Sequence, residues 1–179
     1  MLTGTIIPQS EHNGSLNEGL PFGATSFENW VKQQLNKVVI SLINLRDTSD
    51  LSEVRNLLTE CMWSDEGRID AELTKYLEDE SRELYGRFFN DELMGLIGVI
   101  HGSIGEVELK HIAIKPEYRG KGLGTKLVYE YVQAKNIVVM KAETDKDAVG
   151  FYNKLGFTIL SLGEKYPGVE RFECTSRHK

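Results

Sequence analysis

The chain has 179 residues, of which 40% are hydrophobic and 27% are charged, a composition typical of one soluble globular domain. A net charge of −6 and short apolar runs argue against a broad nucleic-acid-binding surface and a membrane span, so we expect neither partner. The two cysteines form no Cys-x-x-Cys pair, the four histidines are dispersed and no signal-peptide pattern occurs, so we expect a reduced, cytoplasmic protein without a metal site.

Residues 1–37 are predicted to form an N-terminal extension to a folded domain of residues 38–179. Residues 1–25 are rich in Gly, Ser, Asn and Pro and show no apolar period, which is typical of a flexible arm. Ser26 is placed to cap a short helix, FENWVKQQLNK, whose apolar side chains would lie along one side.

The rest of the chain alternates between helical and extended patterns. Apolar residues at helical spacing predict helices at Asp50–Met62, Ile69–Leu77, Gly122–Lys135 and Asp145–Leu155. Short apolar or β-branched runs between turn signals predict strands at Val38–Asn44, Glu83–Asn90, Leu93–His101, Gly105–Ile114, Ile137–Ala142, Phe157–Leu162 and Val169–Cys174. This order predicts a mixed α/β (α+β) class, with an antiparallel meander first and a strand–helix–strand unit later.

A glycine-rich loop, RGKGLGTKLV, follows the strand that is predicted to end at Ile114. Pro116 stops that strand, and the loop leads directly into a predicted helix. Glycines let the backbone approach a phosphate, and a helix N-terminus offers unpaired N–H groups. Arg119, Lys121 and Lys126 add full positive charges. The loop therefore predicts a phosphate or pyrophosphate site.

Two nucleotide-binding motifs compete for this loop. A P-loop needs Gly-x-x-x-x-Gly-Lys-Ser/Thr, and that string is absent. A dinucleotide site needs Gly-x-Gly-x-x-Gly directly after a strand and an acidic residue further on, where Glu143 stands. The glycine spacing differs, and KPEYR separates the glycines from the strand. A nicotinamide-dependent oxidoreductase is therefore the weaker alternative, and it predicts no binding of CoA.

The loop also contains Arg-x-x-Gly-x-Gly at Arg119, Gly122 and Gly124, preceded by IAIKPEY and followed by AVGFYNKLGF. In this order and spacing the motifs resemble the GNAT superfamily of N-acetyltransferases, from roughly Val38 to Cys174. The resemblance implies a mixed, mostly antiparallel sheet of about six to seven strands flanked by helices, splayed between the strands at 105–114 and 137–142. It implies transfer of the acetyl group of acetyl-CoA to a primary amine by direct attack, without a metal. A non-catalytic module that binds or senses acyl-CoA remains the alternative.

The resemblance also implies where acetyl-CoA would lie. Its pantetheine arm would pair, as an added strand, with the backbone of Ile112, Ala113 and Ile114. Asp145 stands where many members carry an asparagine that contacts the cofactor arm, but aspartate cannot donate as an amide does. The diphosphate would lie on the loop, at Arg119, Gly120, Lys121, Gly122, Leu123, Gly124 and Thr125.

Two residues carry the chemistry that the resemblance implies. Tyr152 matches the tyrosine that serves as proton donor to the departing thiolate, and it would also contact the cofactor. Glu108 is the predicted general base, five residues before Ala113, as in histone-type members. His111 is a second candidate for the base, although a regular strand places it on the opposite face from Glu108 unless a bulge intervenes. Ordered water is the third.

The acceptor is predicted only as a small-molecule or peptide amine. Nine acidic residues and three basic ones lie between Glu60 and Glu83, and the family's first two helices border the acceptor cleft. This favours a small cationic amine, although a solvated helix face explains the same pattern. A protein N-terminus or lysine, an amino acid and an aminoglycoside remain open. A homodimer that pairs through Val169–Cys174 is also open.

Overall fold

The structure is a computed structural model that describes residues 42–48, 50–62 and 66–178. The predicted extension of residues 1–37, with its arm and short helix, lies outside the described residues, so the domain boundary stays a prediction. The first part of the strand predicted at Val38–Asn44 lies outside them as well. Within the described ranges, no helix is both long and apolar enough to span a membrane.

The described residues form seven strands and four α-helices, which confirms the mixed α/β (α+β) class. The strands are β1 (Ile43–Asn44), β2 (Arg82–Phe89), β3 (Glu92–His101), β4 (Glu106–Ile114), β5 (Val139–Asp145), β6 (Thr158–Tyr166) and β7 (Val169–Arg177). The helices are α1 (Leu51–Thr59), α2 (Glu66–Glu78), α3 (Leu123–Lys135) and α4 (Val149–Lys154).

All seven strands belong to one sheet, in the order β1-β2-β3-β4-β5-β7-β6. Neighbouring strands are antiparallel except β4 and β5, which are parallel. These two pair only between Glu106–Glu108 and Val139–Lys141, and their ladder ends there. The predicted splay between the two strands is therefore confirmed. β7 lies between β5 and β6, so pairing across a dimer through Val169–Cys174 has no free strand edge.

The elements around β5 differ from the predicted boundaries. β5 begins at Val139 and runs to Asp145, whereas the apolar run predicted Ile137–Ala142. The following helix begins at Val149 rather than at Asp145. The Asp145 carboxylate instead accepts hydrogen bonds from the amides of Asp147 and Ala148, at 3.0 and 3.2 Å, and closes a turn before the helix. The polar residues Glu143–Asp145 thus belong to β5, because their backbone pairs with β7.

The core has two parts, one on each face of the sheet. On one face α3 and α4 pack through Leu127, Tyr131 and Tyr152, among others. On the other face α1 and α2 pack through residues such as Leu58 and Tyr76. The splay between β4 and β5 therefore lies between two helix pairs, and the chemistry-bearing side chains reach it from both faces.

A β-bulge in β4 changes which side chains share a face. Gly98 of β3 pairs with His111 and Val99 pairs with Leu109, so Lys110 is the extra residue. A single inserted residue reverses the alternation of side chains along a strand. His111 therefore lies on the same face as Glu108, contrary to the expectation for a regular strand.

Candidate active site

A cleft of about 500 Å³ opens where β4 and β5 diverge. Tyr152 of α4 reaches it from one face of the sheet, and His111 of β4 reaches it from the other. Cys61, which follows α1, and Asp145, which ends β5, also line it. The cleft is therefore lined by residues from elements on both faces of the sheet.

The glycine loop beside this cleft has a conformation that favours glycine at two positions. Gly120 and Gly122 have φ values of +72° and +77°, in the left-handed region. A Cβ added at either position would meet no atom within 4 Å, so steric crowding within the protein does not explain these glycines. Left-handed residues of this kind can turn successive backbone N–H groups toward one side, which is how backbone nests bind anions.

The N–H groups of this loop are available to a ligand. Within the described part of the chain, the amides from Gly120 to Thr125 donate no hydrogen bond, and the first amide of α3 to do so is that of Lys126, to the Gly122 carbonyl at 3.1 Å. The positive end of the α3 dipole points to the same place. The loop therefore combines free donors and partial positive charge, which is what a phosphate or diphosphate requires.

The third glycine of the loop has a different role. A Cβ added at Gly124 would lie 3.1 Å from the Phe151 ring, so its absence lets the start of α3 approach α4. Leu123, the first residue of α3, is buried and anchors that start in the core. These two residues hold the loop against the element that carries Tyr152.

The cationic side chains of the loop make contacts within the protein. The Arg119 guanidinium donates to the Ile114 carbonyl at 2.8 Å and pairs with the Glu60 carboxylate at 2.6 Å. The Lys121 ammonium donates to the Glu117 carbonyl at 2.8 Å. Arg119 thus ties the loop to the end of α1, and the backbone amides of Gly120–Thr125 are left without a hydrogen-bond partner within the described residues.

The last residues of β4 present a strand edge to the cleft. Ile112, Ala113 and Ile114 pair with β3 on one side, whereas the β4–β5 ladder ends at Glu108. Their side chains pack into the two core regions. Only backbone groups of these residues are therefore available to an extended ligand in the splay, and the Ile114 carbonyl already accepts from Arg119.

Tyr152 is held rigidly in the wall of the cleft. Its ring makes edge contacts with Phe151 and Phe157, with centroids 5.2 and 5.4 Å apart, and the side chain is 6% exposed. Burial raises its pKa, so the phenol is neutral at pH 7. Its hydroxyl makes no hydrogen bond within the described residues, so it is free to donate to a ligand.

Glu108 lies in a neighbouring opening rather than in the cleft of Tyr152. It lines a groove of about 390 Å³ together with Lys141 and Glu143, and Glu143 also lines the cleft. Its carboxylate pairs with the Lys110 ammonium at 2.9 Å. The structure therefore places the two predicted catalytic residues in adjoining openings and does not bring them together.

His111 lines the cleft itself, and its environment makes it a weak base. Burial lowers the pKa of His111 to about 4, so the imidazole is neutral at pH 7. Its Nδ1 atom lies 2.8 Å from the hydroxyl of Tyr76, a buried residue of α2. The helical spacing of Ile69–Leu77 predicts Tyr76 only as an apolar position, although a buried tyrosine needs a partner for its hydroxyl.

The carboxylates of the cleft already have partners. Glu60 pairs with Arg119, and Glu143 accepts from Lys165 and Arg171, each at 3.1 Å. Asp145, predicted as a cofactor contact, uses one oxygen for the turn that precedes α4. Among the described residues, three acidic and three basic side chains line the cleft, so the formal charge of this described lining is balanced.

The acidic segment between Glu60 and Glu83 supplies few of the carboxylates that line the cleft. Among its described carboxylates, only Glu60 lines the cleft. Asp70 pairs with Arg55, and Glu83 pairs with Lys135. Most of the described carboxylates of the segment are therefore engaged in ion pairs away from the cleft or lie on helix surface, and they do not make the cleft acidic.

Comparison with known proteins gives a family match over most of the described domain. Residues 50–157 match the acetyltransferase (GNAT) family. An uncharacterized N-acetyltransferase of Bacillus methanolicus is 31% identical over 61 residues, which are 34% of this chain and 51% of that protein. The chain thus spans about half of that relative, and it spans 23% of an uncharacterized Mycobacterium leprae protein to which it is 30% identical.

Solved structures share the fold at low sequence identity. A Bacillus subtilis acetyltransferase in complex with CoA superposes with a TM-score of 0.60 at 19% identity, covering 78% of this chain and 99% of that one. The ribosomal-protein-S18-alanine N-acetyltransferase of Escherichia coli superposes with a TM-score of 0.62 at 17% identity, covering 76% and 92%. These similarities confirm the predicted fold, a mixed sheet flanked by helices.

Proposed function

The chain belongs to the GNAT acetyltransferase family, and we propose that it transfers the acetyl group of acetyl-CoA to a primary amine by direct attack. The observation that carries the proposal is the order of groups beside one cleft. Free amides of the glycine loop are followed by the backbone edge of Ile112–Ile114 and then by the buried hydroxyl of Tyr152. These groups suit a diphosphate, an extended amide-bearing arm and a departing thiolate, in that order.

The residues present fit acetyl-CoA as a substrate. We propose that the diphosphate accepts from the amides of Gly120–Thr125, where no Cβ at Gly120 or Gly122 obstructs it. The pantetheine amides would pair with the backbone of Ile112–Ile114, which adds a strand to the sheet. Asp145 would meet the arm as a hydrogen-bond acceptor only, through Oδ2, which its own turn does not use and which lies 3.8 Å from a guanidinium nitrogen of Arg171.

Direct attack requires that no enzyme thiol takes the acetyl group first. Cys61 is the cysteine that lines the cleft, and burial raises its pKa to about 12. A thiol at this pKa carries almost no thiolate at pH 7, and the thiolate is the nucleophile. The environment of Cys61 therefore supports attack by the amine on the thioester rather than an acetyl-cysteine intermediate.

In the proposed reaction a neutral amine forms a bond to the thioester carbon, and the carbon–sulfur bond then breaks. A backbone N–H of the splayed edge would stabilise the negative charge that develops on the thioester oxygen. The hydroxyl of Tyr152 would donate to the departing sulfur. Its raised pKa keeps Tyr152 a neutral phenol, so the O–H group would be present to hydrogen-bond to the thiolate. The thiolate would then take its proton from solvent as the product leaves.

We propose that Glu108 removes the proton of the amine through ordered water. Glu108 lies in the groove that shares Glu143 with the cleft, and it lies on the same face of β4 as His111. His111 is closer to the cleft, but its lowered pKa makes it a poor acceptor of an ammonium proton. A water path between adjoining openings is consistent with a carboxylate that does not reach the thioester directly.

The test is CoA-thiol release from acetyl-CoA in the presence of an amine panel. The panel contains polyamines, which represent the small cationic amines that the acidic segment favours. It also contains amino acids, aminoglycosides and peptides with free N-termini or lysines. If the protein binds acetyl-CoA tightly but no amine causes release of the CoA thiol, it is a non-catalytic acyl-CoA-binding module rather than an enzyme. Binding of a nicotinamide cofactor without binding of CoA would refute both.

A matched pair of variants tests the role of the cleft tyrosine. Tyr152→Phe removes only the hydroxyl and should lower kcat by about 10²-fold while the affinity for acetyl-CoA changes little. Tyr129→Phe makes the same change at a half-exposed position of α3 and should leave both quantities unchanged. Equal kcat in the two variants would remove Tyr152 from the mechanism.

A further inference from the structure

Tyr76 and His111 form a built pair at the acceptor side of the cleft. Tyr76 is 1% exposed, and its hydroxyl lies 2.8 Å from the Nδ1 atom of His111. The backbone makes room for this hydroxyl, because a Cβ at Gly98 would clash with it. The bulge at Lys110 turns His111 toward Tyr76. Contacts from α2 and β3, together with the bulge in β4, therefore hold the His111 imidazole in one orientation.

The hydrogen bond also fixes the tautomer of His111. Within the described residues the Tyr76 hydroxyl has His111 as its one hydrogen-bond partner, and a buried hydroxyl proton without an acceptor would be costly. Tyr76 therefore donates to Nδ1, and the proton of the neutral imidazole lies on Nε2.

The Nε2–H group of His111 is accessible from the cleft. Among the described residues, two side-chain atoms are both buried from solvent and without a hydrogen-bond partner: Arg87 Nε and His178 Nε2. His111 Nε2 is not one of them and has no protein partner there, so solvent or a ligand reaches it. The pKa of about 4 keeps the ring neutral, so this group is a hydrogen-bond donor under working conditions.

We propose that His111 donates its Nε2–H to a carbonyl or carboxylate oxygen next to the reacting amine of the acceptor, with Tyr76 as a positioning residue. The acceptor class is then an α-amino carbonyl compound: a free amino acid, its amide or a peptide N-terminus. This inference rests on the proposed acetyl transfer and names its substrate class.

The other groups of the cleft agree with this class. An unsubstituted polyamine offers mainly N–H donors, which His111 Nε2–H cannot bind. The cleft carboxylates Glu60 and Glu143 are engaged in ion pairs, and the acidic and basic lining residues balance. An acceptor with its own oxygen therefore meets a complementary group, whereas a polycation meets no surplus of negative charge.

The experiment compares kcat/KM for alaninamide and isopropylamine, which share a carbon skeleton but differ in the carbonyl group. In His111→Ala, the ratio of the two values should fall about tenfold, since one hydrogen bond to a neutral oxygen is lost. Alanine and a short peptide with N-terminal alanine, each measured against isopropylamine, distinguish a small-molecule source from a peptide source. His111→Gln keeps an N–H donor and should recover part of the loss.

Tyr76→Phe tests the positioning role with a readout that stability alone would not move. The imidazole nitrogen resonances of His111 should indicate the Nε2–H tautomer in the unmodified protein and a mixture of tautomers in Tyr76→Phe. The alaninamide-to-isopropylamine ratio should also fall, whereas Tyr129→Phe should change neither quantity. Unchanged resonances in Tyr76→Phe would overturn the positioning role.

The outcomes separate this inference from the proposed function. If the unmodified protein acetylates no amine, the proposed function fails. If it acetylates both amines but His111→Ala leaves their ratio within twofold, or if spermidine is preferred to every α-amino carbonyl compound, the inference fails while acetyl transfer stands. An equal fall for all acceptors would assign His111 to the thioester rather than to the acceptor, and would also overturn the inference.

Discussion

Replacing Gly122 by alanine tests whether the loop backbone binds the diphosphate. Gly122 has a φ of +77°, and a left-handed backbone costs an L-residue about 1–2 kcal/mol. The amides from Gly120 to Thr125 have no partner within the described residues, so no hydrogen bond from these amides holds an alanine in that conformation before the ligand binds. The substituted loop should therefore relax when empty and must be restored on binding.

The cost then falls on affinity for CoA rather than on folding. An increase of 1–2 kcal/mol in the free energy of binding corresponds to an increase in Kd of about 5- to 30-fold. Isothermal titration with CoA measures this change, and thermal unfolding should show a nearly unchanged Tm. Pantetheine, which lacks the diphosphate, should bind the variant and the unmodified protein equally.

Gly168→Ala is the matched control for this experiment. Gly168 has a φ of +75° and the same open space around an added Cβ, but it lies in the β6–β7 turn between paired strands. There the strands hold the backbone in place, so the free energy of unfolding should fall by about 1–2 kcal/mol without a change in CoA affinity. Unchanged CoA affinity in Gly122→Ala, or an equal loss for pantetheine, would refute the role of the loop.

Three further measurements check the environment of particular groups. Burial holds the pKa of His111 at about 4, below that of the unfolded chain, so the unfolded state binds the extra proton as pH falls from about 6.5. The neutral, buried His111 should add about 3 kcal/mol at most to the free energy of unfolding above pH 6.5, and this contribution should be lost as pH falls through 4. In urea unfolding, the free energy of unfolding of His111→Gln should therefore fall less steeply over the same pH range. Cys61 should resist iodoacetamide at pH 7.5 in the native protein and react in urea, whereas rapid native labelling would contradict its raised pKa. Glu130→Ala should destabilise the fold by about 3 kcal/mol, because it leaves the buried Arg87 guanidinium without its carboxylate, and Arg87→Met/Glu130→Ala should recover much of the loss in denaturant unfolding.

The sheet, its splay and the glycine loop could be predicted because local signals agree with the fold. Pro116 ends β4, and the glycines stand at positions that need left-handed backbone or close packing. The family motifs then order these elements. Such features depend on neighbours in sequence, which is the information that a single chain provides directly.

The acceptor side could not be predicted in the same way. His111 shares a face with Glu108 only because Lys110 is inserted as a bulge, and no local signal in EVELKHIAI marks it. The role of Tyr76 depends on a hydroxyl contact 35 residues away along the chain. These features arise from tertiary packing of α2 on β4.

The charge of the cleft also depends on tertiary structure. The segment from Glu60 to Glu83 is acidic as a string, but its ionic partners come from distant residues such as Arg55 and Lys135. The cleft takes its other carboxylates, Glu143 and Asp145, from β5. Local net charge therefore did not predict the charge of the cleft, because pairing and burial decide which charges a ligand meets.

Initial-rate kinetics of thiol release, with acetyl-CoA and one accepted amine varied together, tests the central claim most directly. Direct attack within a ternary complex predicts that release depends on the amine, that double-reciprocal lines intersect, and that mass spectrometry finds the acetylated amine. Parallel lines with acetylated Cys61 would contradict direct attack. Thiol release that is independent of every amine, or no release at all, would contradict acetyl transfer to an amine.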